Sequence, residues 1–138
     1  RITFSGGGLE NSLTYLNAGN GGPSASMAGK IFQITSLSNV VLPTGLVANP
    51  AAITFTIDPA SGAILGSYTL INDPDPTDLV APIATVPRKV PFGGLIVPRL
   101  GIGVGNFQLP ELPSLGPPKT TVTTSPRWSG QVLIQSNP

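Results

Sequence analysis

The sequence predicts an all-β domain, either an antiparallel β-sandwich or a jelly-roll-like barrel, with long loops rich in proline and glycine. Short runs of β-branched and aromatic residues recur along the chain, and turn-forming residues separate them. No window of a dozen residues keeps a helical apolar period without a glycine or proline. The 138 residues include 17 glycines and 16 prolines, yet 40% are hydrophobic, which indicates an ordered but loop-rich fold.

The clearest strand signal is a β-hairpin over residues 52–71. Large apolar side chains alternate with threonines in residues 53–57, which is the period of a half-buried strand. Residues 58–62, Asp-Pro-Ala-Ser-Gly, then provide a turn, because the proline presets φ and the glycine accepts a positive φ. Residues 63–71 form the returning strand. The chain closes with a further strand in residues 128–135.

The chain length fits a single β domain over residues 1–138. Two of its segments, residues 1–8 and residues 106–118, differ from the rest in their glycine or proline content. Residues 1–8 combine a short strand with three glycines, which act as a hinge. Such a strand can leave its own subunit and add to the sheet edge of a neighbour. Residues 106–118 hold four prolines and are expected to form an extended arm or a long loop. The predicted assembly residues are Ile2, Phe4, Gly6, Gly7 and Gly8.

Charge is scarce, with seven basic and six acidic residues and a net charge of +1. The basic residues are scattered, so the chain lacks the basic patch that nucleic-acid binding needs. No apolar run approaches the length of a membrane span. A surface with little charge offers little repulsion between copies, which favours a homopolymer or a shell of identical subunits. The expected location is extracellular or at a cell surface, a virion surface included.

The chain has no histidine and no cysteine. Ser-His-Asp triads, Cys-His pairs and zinc clusters are therefore excluded. Glu10 and Glu111 are the remaining candidates for a carboxylate pair, but a separation of 100 residues carries no spacing information. We therefore expect that the chain is not an enzyme and that it needs no cofactor, with one calcium site as the exception to consider.

The only acidic cluster lies in residues 73–78, Asp-Pro-Asp-Pro-Thr-Asp. Carboxylate oxygens are the ligands that Ca²⁺ prefers, and the prolines stiffen the loop. The candidate metal ligands are Asp73, Asp75 and Asp78. The glycine and glutamate of an EF-hand loop are missing, so an ordinary solvated turn between two strands is the alternative.

The aromatic residues offer a second kind of site. Trp128, Tyr15 and Tyr68 are candidates for a platform on which a sugar ring stacks, as amphipathic rings often serve at binding surfaces. Core packing is the alternative for each of them. The sequence therefore predicts a structural subunit of an extracellular filament, pilus-like fibre or coat, which assembles by β-strand addition and burial of uncharged surface. The alternative is a secreted β-sandwich module that binds carbohydrate or another ligand.

Overall fold

The structure is a computed structural model that describes residues 1–9, 32–45, 49 and 51–136. The described residues are nearly all-β, with a short 3-10 helix at Pro98–Leu100. Their eight strands are β1 (Ile2–Gly6), β2 (Gln33–Ile34), β3 (Val40–Val41), β4 (Thr54–Ile57), β5 (Ala63–Leu70), β6 (Arg88–Val97), β7 (Ile102–Pro110) and β8 (Arg127–Gln135).

Six of the strands form one antiparallel sheet in the order β1-β8-β7-β6-β5-β4. Strands β4 to β8 follow one another as a meander, and β1 closes the row by pairing with β8. The predicted all-β, antiparallel class is confirmed. The hairpin over residues 52–71 is confirmed as well, since β4 and β5 pair directly with Phe55 opposite Gly66. Its turn is held by Asp58, whose Oδ1 accepts the Ala60 N–H at 3.0 Å.

A small second sheet, β2 paired with β3, covers part of the inner face of the main sheet. Its neighbourhood supplies partly buried hydrophobic side chains to the core, and the Phe32 ring meets Phe55 edge-on with centroids 4.9 Å apart. The partly buried side chains that pack on the core from this side are Phe32, Ile34, Val40 and Leu42. The arrangement is sandwich-like, with a large sheet on one side and a small sheet with its loops on the other.

The main sheet is strongly curled. Phe4 lies on β1 and Tyr68 on β5, and three strands separate them in the sheet. In a flat sheet the two strands would be about 19 Å apart, given a spacing of about 4.8 Å between neighbours. The ring centroids of Phe4 and Tyr68 are nevertheless only 4.6 Å apart. The sheet therefore wraps around its own aromatic core.

Glycines on the inner face make room for this aromatic core. Gly130 on β8 lies directly opposite Phe107 on β7, and the Phe107 ring covers the glycine so closely that a Cβ there would fall inside the ring. Gly66 lies opposite both Phe55 and Phe92, and a Cβ at Gly66 would come within 2.5 Å of each side chain. The large rings and the glycines are thus paired across neighbouring strands.

The N-terminal segment lies within the chain's own sheet. Ile2 and Phe4 are fully buried, and β1 pairs with β8 over its whole length. Gly6, Gly7 and Gly8 all have a positive φ; Gly6 ends the strand, and Gly7 and Gly8 form the turn that follows it. The structure thus places this segment as a terminal strand and not as an arm extended from the domain, and its role in assembly stays a prediction.

The proline-rich arm predicted over residues 106–118 is wrong for its first part. Residues 106–110 belong to β7, with Phe107 and Leu109 buried on the inner face. The alternation of these two apolar residues with Asn and Gln decides the conformation, and Pro110 is tolerated because it ends the strand. Residues 111–126 connect β7 to β8 and contain no strand.

We expect Gly130→Ala to destabilise the fold by about 1–3 kcal/mol, because the added methyl group overlaps the Phe107 ring in a packed core. Thermal or urea unfolding followed by circular dichroism measures this loss. Gly93→Ala is the matched control on the outer face, where a Cβ would lie 3.3 Å from the Ile64 carbonyl oxygen and 3.5 Å from Leu65 Cδ2. Equal losses in the two variants would contradict the predicted ring-on-glycine packing.

Candidate functional site

The predicted calcium ligands do not converge. Asp75 Oδ1 accepts hydrogen bonds from the Thr77 N–H at 2.8 Å and the Thr77 hydroxyl at 2.7 Å. Asp78 uses both oxygens within its loop, accepting from the Val80 N–H at 3.1 Å and the Ala84 N–H at 2.7 Å. In the part of the chain that the structure describes, no three acidic side chains lie close enough to hold a metal ion. The carboxylates of Asp75 and Asp78 thus stabilise their own loop, and the Ca²⁺ site stays a prediction.

Asp73, the third predicted ligand, forms a buried ion pair instead. Its Oδ2 lies 2.7 Å from Arg88 Nη2, and both side chains are almost completely buried. Arg88 Nη1 also donates to the Pro110 carbonyl oxygen at 2.6 Å. Arg88 begins β6, Pro110 ends β7, and Asp73 lies in the connection between β5 and β6. The pair thus ties three parts of the chain together at one end of the sheet.

The structure describes two of the three predicted stacking residues, one of them buried and the other exposed. Tyr68 is fully buried and packs against the Phe4 and Phe107 rings, so it belongs to the core and offers no face to a ligand. Tyr15 and the candidate carboxylate Glu10 lie outside the described residues. Trp128 is 57% exposed, which makes it the stacking candidate that the structure retains.

Trp128 lines a pocket of about 330 Å³ at the end of the sheet where Arg88 lies. The indole Nε1–H of Trp128 donates a short hydrogen bond to Glu111 Oε1, which fixes the orientation of the ring. The two residues meet because Glu111 directly follows β7 and its N–H donates to the Pro126 carbonyl oxygen at 2.9 Å, which continues the β7–β8 ladder. The other lining residues are Gly7, Gly8, Arg88, Leu109, Pro110 and Leu112.

Two polar atoms beneath this end of the sheet are buried and find no hydrogen-bond partner within residues 1–9, 32–45, 49 and 51–136, namely Arg88 Nε and the Tyr68 hydroxyl. Burial raises the pKa of the Tyr68 hydroxyl well above its usual value, and the nearby Arg88 charge opposes that rise only in part. Tyr68 is therefore a neutral phenol at any ordinary pH. Unsatisfied buried polar groups are uncommon, and one of these two, Arg88 Nε, belongs to a residue that lines the pocket.

The outer face of the sheet carries a second notable surface, a set of hydrophobic side chains that are 38% to 71% exposed. Leu95, Val104 and Leu133 lie side by side on β6, β7 and β8 as direct cross-strand partners. The outward-facing charged residues of these strands, Lys89 and Arg127, lie at the strand ends far from this set, whereas Arg99 is exposed in the 3-10 turn between Val97 and Ile102. We call the following set the outer patch: Leu65, Leu95, Val97, Ile102, Val104 and Leu133.

Sequence reasoning missed the roles of Arg88, of Glu111 and of the outer patch. Arg88 counted only as one of the scattered basic residues, and Glu111 only as a partner for Glu10. The alternation of Ile102 and Val104 with glycines indicates a strand, but it does not tell which face is buried. The one signal in the sequence for an exposed hydrophobic face is that Ile102 and Val104 share a side of their strand. The aromatic residues already fill the core, so these two side chains are left on the outer face.

Comparison of the chain with protein-family models, with curated proteins and with solved structures yields no match. Within the described parts of the chain, no helix is both long and apolar enough to cross a membrane.

We expect the loop of residues 75–84 to stabilise the fold in a pH-dependent way through Asp78. Hydrogen bonds from the Ala84 and Val80 backbone N–H groups lower the pKa of Asp78 below its usual value. A carboxyl whose pKa is lowered by folding stabilises the native state above its unfolded-state pKa, and this contribution disappears as the pH falls through the folded-state pKa. Asp78→Asn should therefore lower the melting temperature at pH 7, with a difference that narrows towards pH 2.

The matched control is Asp75→Asn. Asp75 accepts both of its hydrogen bonds through Oδ1, which an asparagine retains, whereas Asp78 uses both oxygens and an asparagine has only one acceptor. We therefore expect Asp75→Asn to lower the melting temperature less than Asp78→Asn does. Melting curves of both variants from pH 2 to 7 measure the two losses. A loss at Asp78→Asn that is the same at every pH would contradict the assigned role of the carboxylate.

Proposed function

We propose that this chain is a structural subunit that assembles with copies of itself into an extracellular filament, a pilus-like fibre or a coat, a virion coat included. The observation that carries the proposal is the outer patch, an exposed and uncharged hydrophobic surface on the face of the sheet that points away from the core. Exposed hydrophobic groups of this size on one face commonly mark a surface that another protein covers.

The composition of the outer face resembles that of a protein interface. Interfaces have an apolar centre from which charge is depleted and a polar rim around it. On this face the apolar centre is the outer patch, and uncharged polar residues border it along the strands. Ser67 lies on β5, Asn106 on β7 and Gln131 on β8, the last two being direct cross-strand partners. A second copy of the chain presents the same uncharged surface and so offers no repulsion.

The size of the outer patch indicates how much surface two copies must bury. The patch has one or two residues on each of four strands. Its backbone positions span roughly 14 Å across the strands and roughly 13 Å along them. That area is smaller than the roughly 800 Å² per partner of a standard interface. The polar rim must therefore be covered together with the patch. A two-fold arrangement meets this need, because it brings patch against patch and leaves Lys89 and Arg127 of each copy at opposite ends.

The N-terminal strand supplies the second element of the proposal. β1 is one of the two edge strands of the sheet, and the glycine hinge begins at its last residue, Gly6, and continues with Gly7 and Gly8. If β1 pairs with β8 of a neighbouring copy instead, it makes the same backbone hydrogen bonds and buries Ile2 and Phe4 in the same core. Exchange of an identical element between subunits costs little for this reason. Strand addition between copies therefore needs no contact other than those seen within one chain.

Val104→Lys tests assembly through the outer patch. Val104 is 59% exposed in the single chain, so a lysine there leaves the fold intact but places a charge at the centre of the proposed contact. We expect the association of the unmodified chain to depend on concentration and the variant to associate at least about tenfold more weakly. Sedimentation equilibrium with negative-stain microscopy measures both.

Leu79→Lys is the matched control, because Leu79 is equally hydrophobic and 79% exposed but lies in the connection between β5 and β6, away from the sheet. It should associate like the unmodified chain. A chain that stays monomeric at the highest attainable concentration would overturn the proposal, as would two lysine variants with equal effects.

A disulfide between β1 and β8 tests strand exchange. Ser5 and Gln131 are direct cross-strand partners, and such pairs lie within the Cα distance that a disulfide accepts. The chain has no cysteine of its own, so every disulfide of the Ser5→Cys, Gln131→Cys variant joins introduced cysteines, and the two single variants show how many covalent dimers arise from 5–5 or 131–131 bonds between copies. We expect covalent dimers and larger species on a non-reducing gel after oxidation at high concentration. Only intramolecular disulfides at every concentration would show that β1 stays in its own subunit.

A further inference from the structure

We propose that the pocket beside Trp128 is a binding site for a neutral saccharide, with one sugar ring stacked on the indole and its hydroxyl groups bound by Glu111 and Arg88. This site lies beyond the proposed assembly function and uses a different surface. Trp128 is the direct cross-strand partner of the buried Leu109, so the pocket opens at the end of the inner face, away from the outer patch.

Trp128 provides a rigid and exposed platform. More than half of the residue is accessible, although a large apolar ring gains from being covered. Its N–H group is already bonded to Glu111, so the edge of the indole is fixed while the face remains available. A side chain that is held in place before binding loses little conformational freedom when a ligand stacks on it. The apolar face of a sugar ring fits such a platform.

The polar groups of the pocket select a ligand that both donates and accepts hydrogen bonds. A carboxylate only accepts and a guanidinium only donates. Glu111 uses Oε1 for the indole, and Arg88 Nε is buried without a partner in the described parts of the chain. An anionic ligand would be repelled by Glu111, whereas the charge of Arg88 is balanced by Asp73. Neighbouring hydroxyl groups of a saccharide donate to one side and accept from the other.

Arg88 is an unusual residue to find in a pocket wall, which supports a binding role. It is only 4% exposed, and its charge is balanced by Asp73 at 2.7 Å. The Pro110 carbonyl oxygen holds its other terminal nitrogen, so the guanidinium cannot turn. The pocket volume of about 330 Å³ lies at the lower end of the range for small-molecule sites, which suits one or two sugar rings.

The single tryptophan of the chain makes the test direct, because fluorescence excited where the two tyrosines do not absorb reports on Trp128 alone. We expect a soluble panel of cello-, xylo-, manno-, galacto- and chito-oligosaccharides to contain at least one member that shifts the emission of the intact chain in a saturable way. Isothermal calorimetry then gives the dissociation constant, and Trp128→Ala should abolish the heat of binding while the circular dichroism spectrum stays unchanged.

Glu111→Gln gives a second measurement that does not remove the ring. The amide still accepts the indole N–H, but it offers no charge to the sugar hydroxyl groups, so binding should weaken about tenfold. Asp58→Asn is the control for a lost surface carboxylate and should bind normally. Val104→Lys should also bind normally, which separates this site from the assembly surface.

Tetramethylammonium chloride is included to distinguish a cation site, since a tryptophan beside a carboxylate can also bind such ions. Saturable binding of this ion without binding of any saccharide would overturn the proposal. No response to the whole panel would overturn it as well, as would binding that survives Trp128→Ala.

Discussion

The packing of large aromatic rings against glycines is the constraint on which the rest of this structure depends. Phe107 covers Gly130, and Phe55 and Phe92 flank Gly66. With larger residues at the two glycines, the rings could not lie flat on the neighbouring strand, and the sheet could not curl enough to bring Phe4 to Tyr68. The curl buries the core of a domain that has no disulfide, and it turns the remaining hydrophobic strand residues outward.

The same curl determines where the outer patch and the Trp128 pocket lie. Because the inner face is filled by the aromatic set, the apolar residues at the alternate positions of β5 to β8 have no core to enter, and they form the outer patch. At the end of the inner face the rings give way to polar residues. There the Asp73–Arg88 pair joins the connection between β5 and β6 to the end of β7, and this junction supports the wall of the Trp128 pocket.

The two proposals use the two faces of one sheet and do not compete. Assembly needs an uncharged outer face, and the scarcity of charge provides it over the middle of four strands. Ligand binding needs a few polar groups held in a fixed geometry. Glu111 and Arg88 are such groups, because existing hydrogen bonds hold both of them at the Trp128 pocket. A subunit of a surface assembly that also carries a saccharide site at the end of each sheet would display that site many times, which increases the effective affinity of the whole.

The sequence by itself determined the elements whose signal is local. The alternation in residues 53–57 and the turn chemistry of residues 58–62 predict the β4–β5 hairpin, and the absence of helical periodicity predicts the all-β class. Only the tertiary structure decided that Tyr68 is core and Trp128 is surface, that Asp73 pairs with Arg88, and that Val104 faces outward. Each of these outcomes depends on which residues lie opposite one another across strands distant in sequence, and a period of two cannot tell one face of a strand from the other.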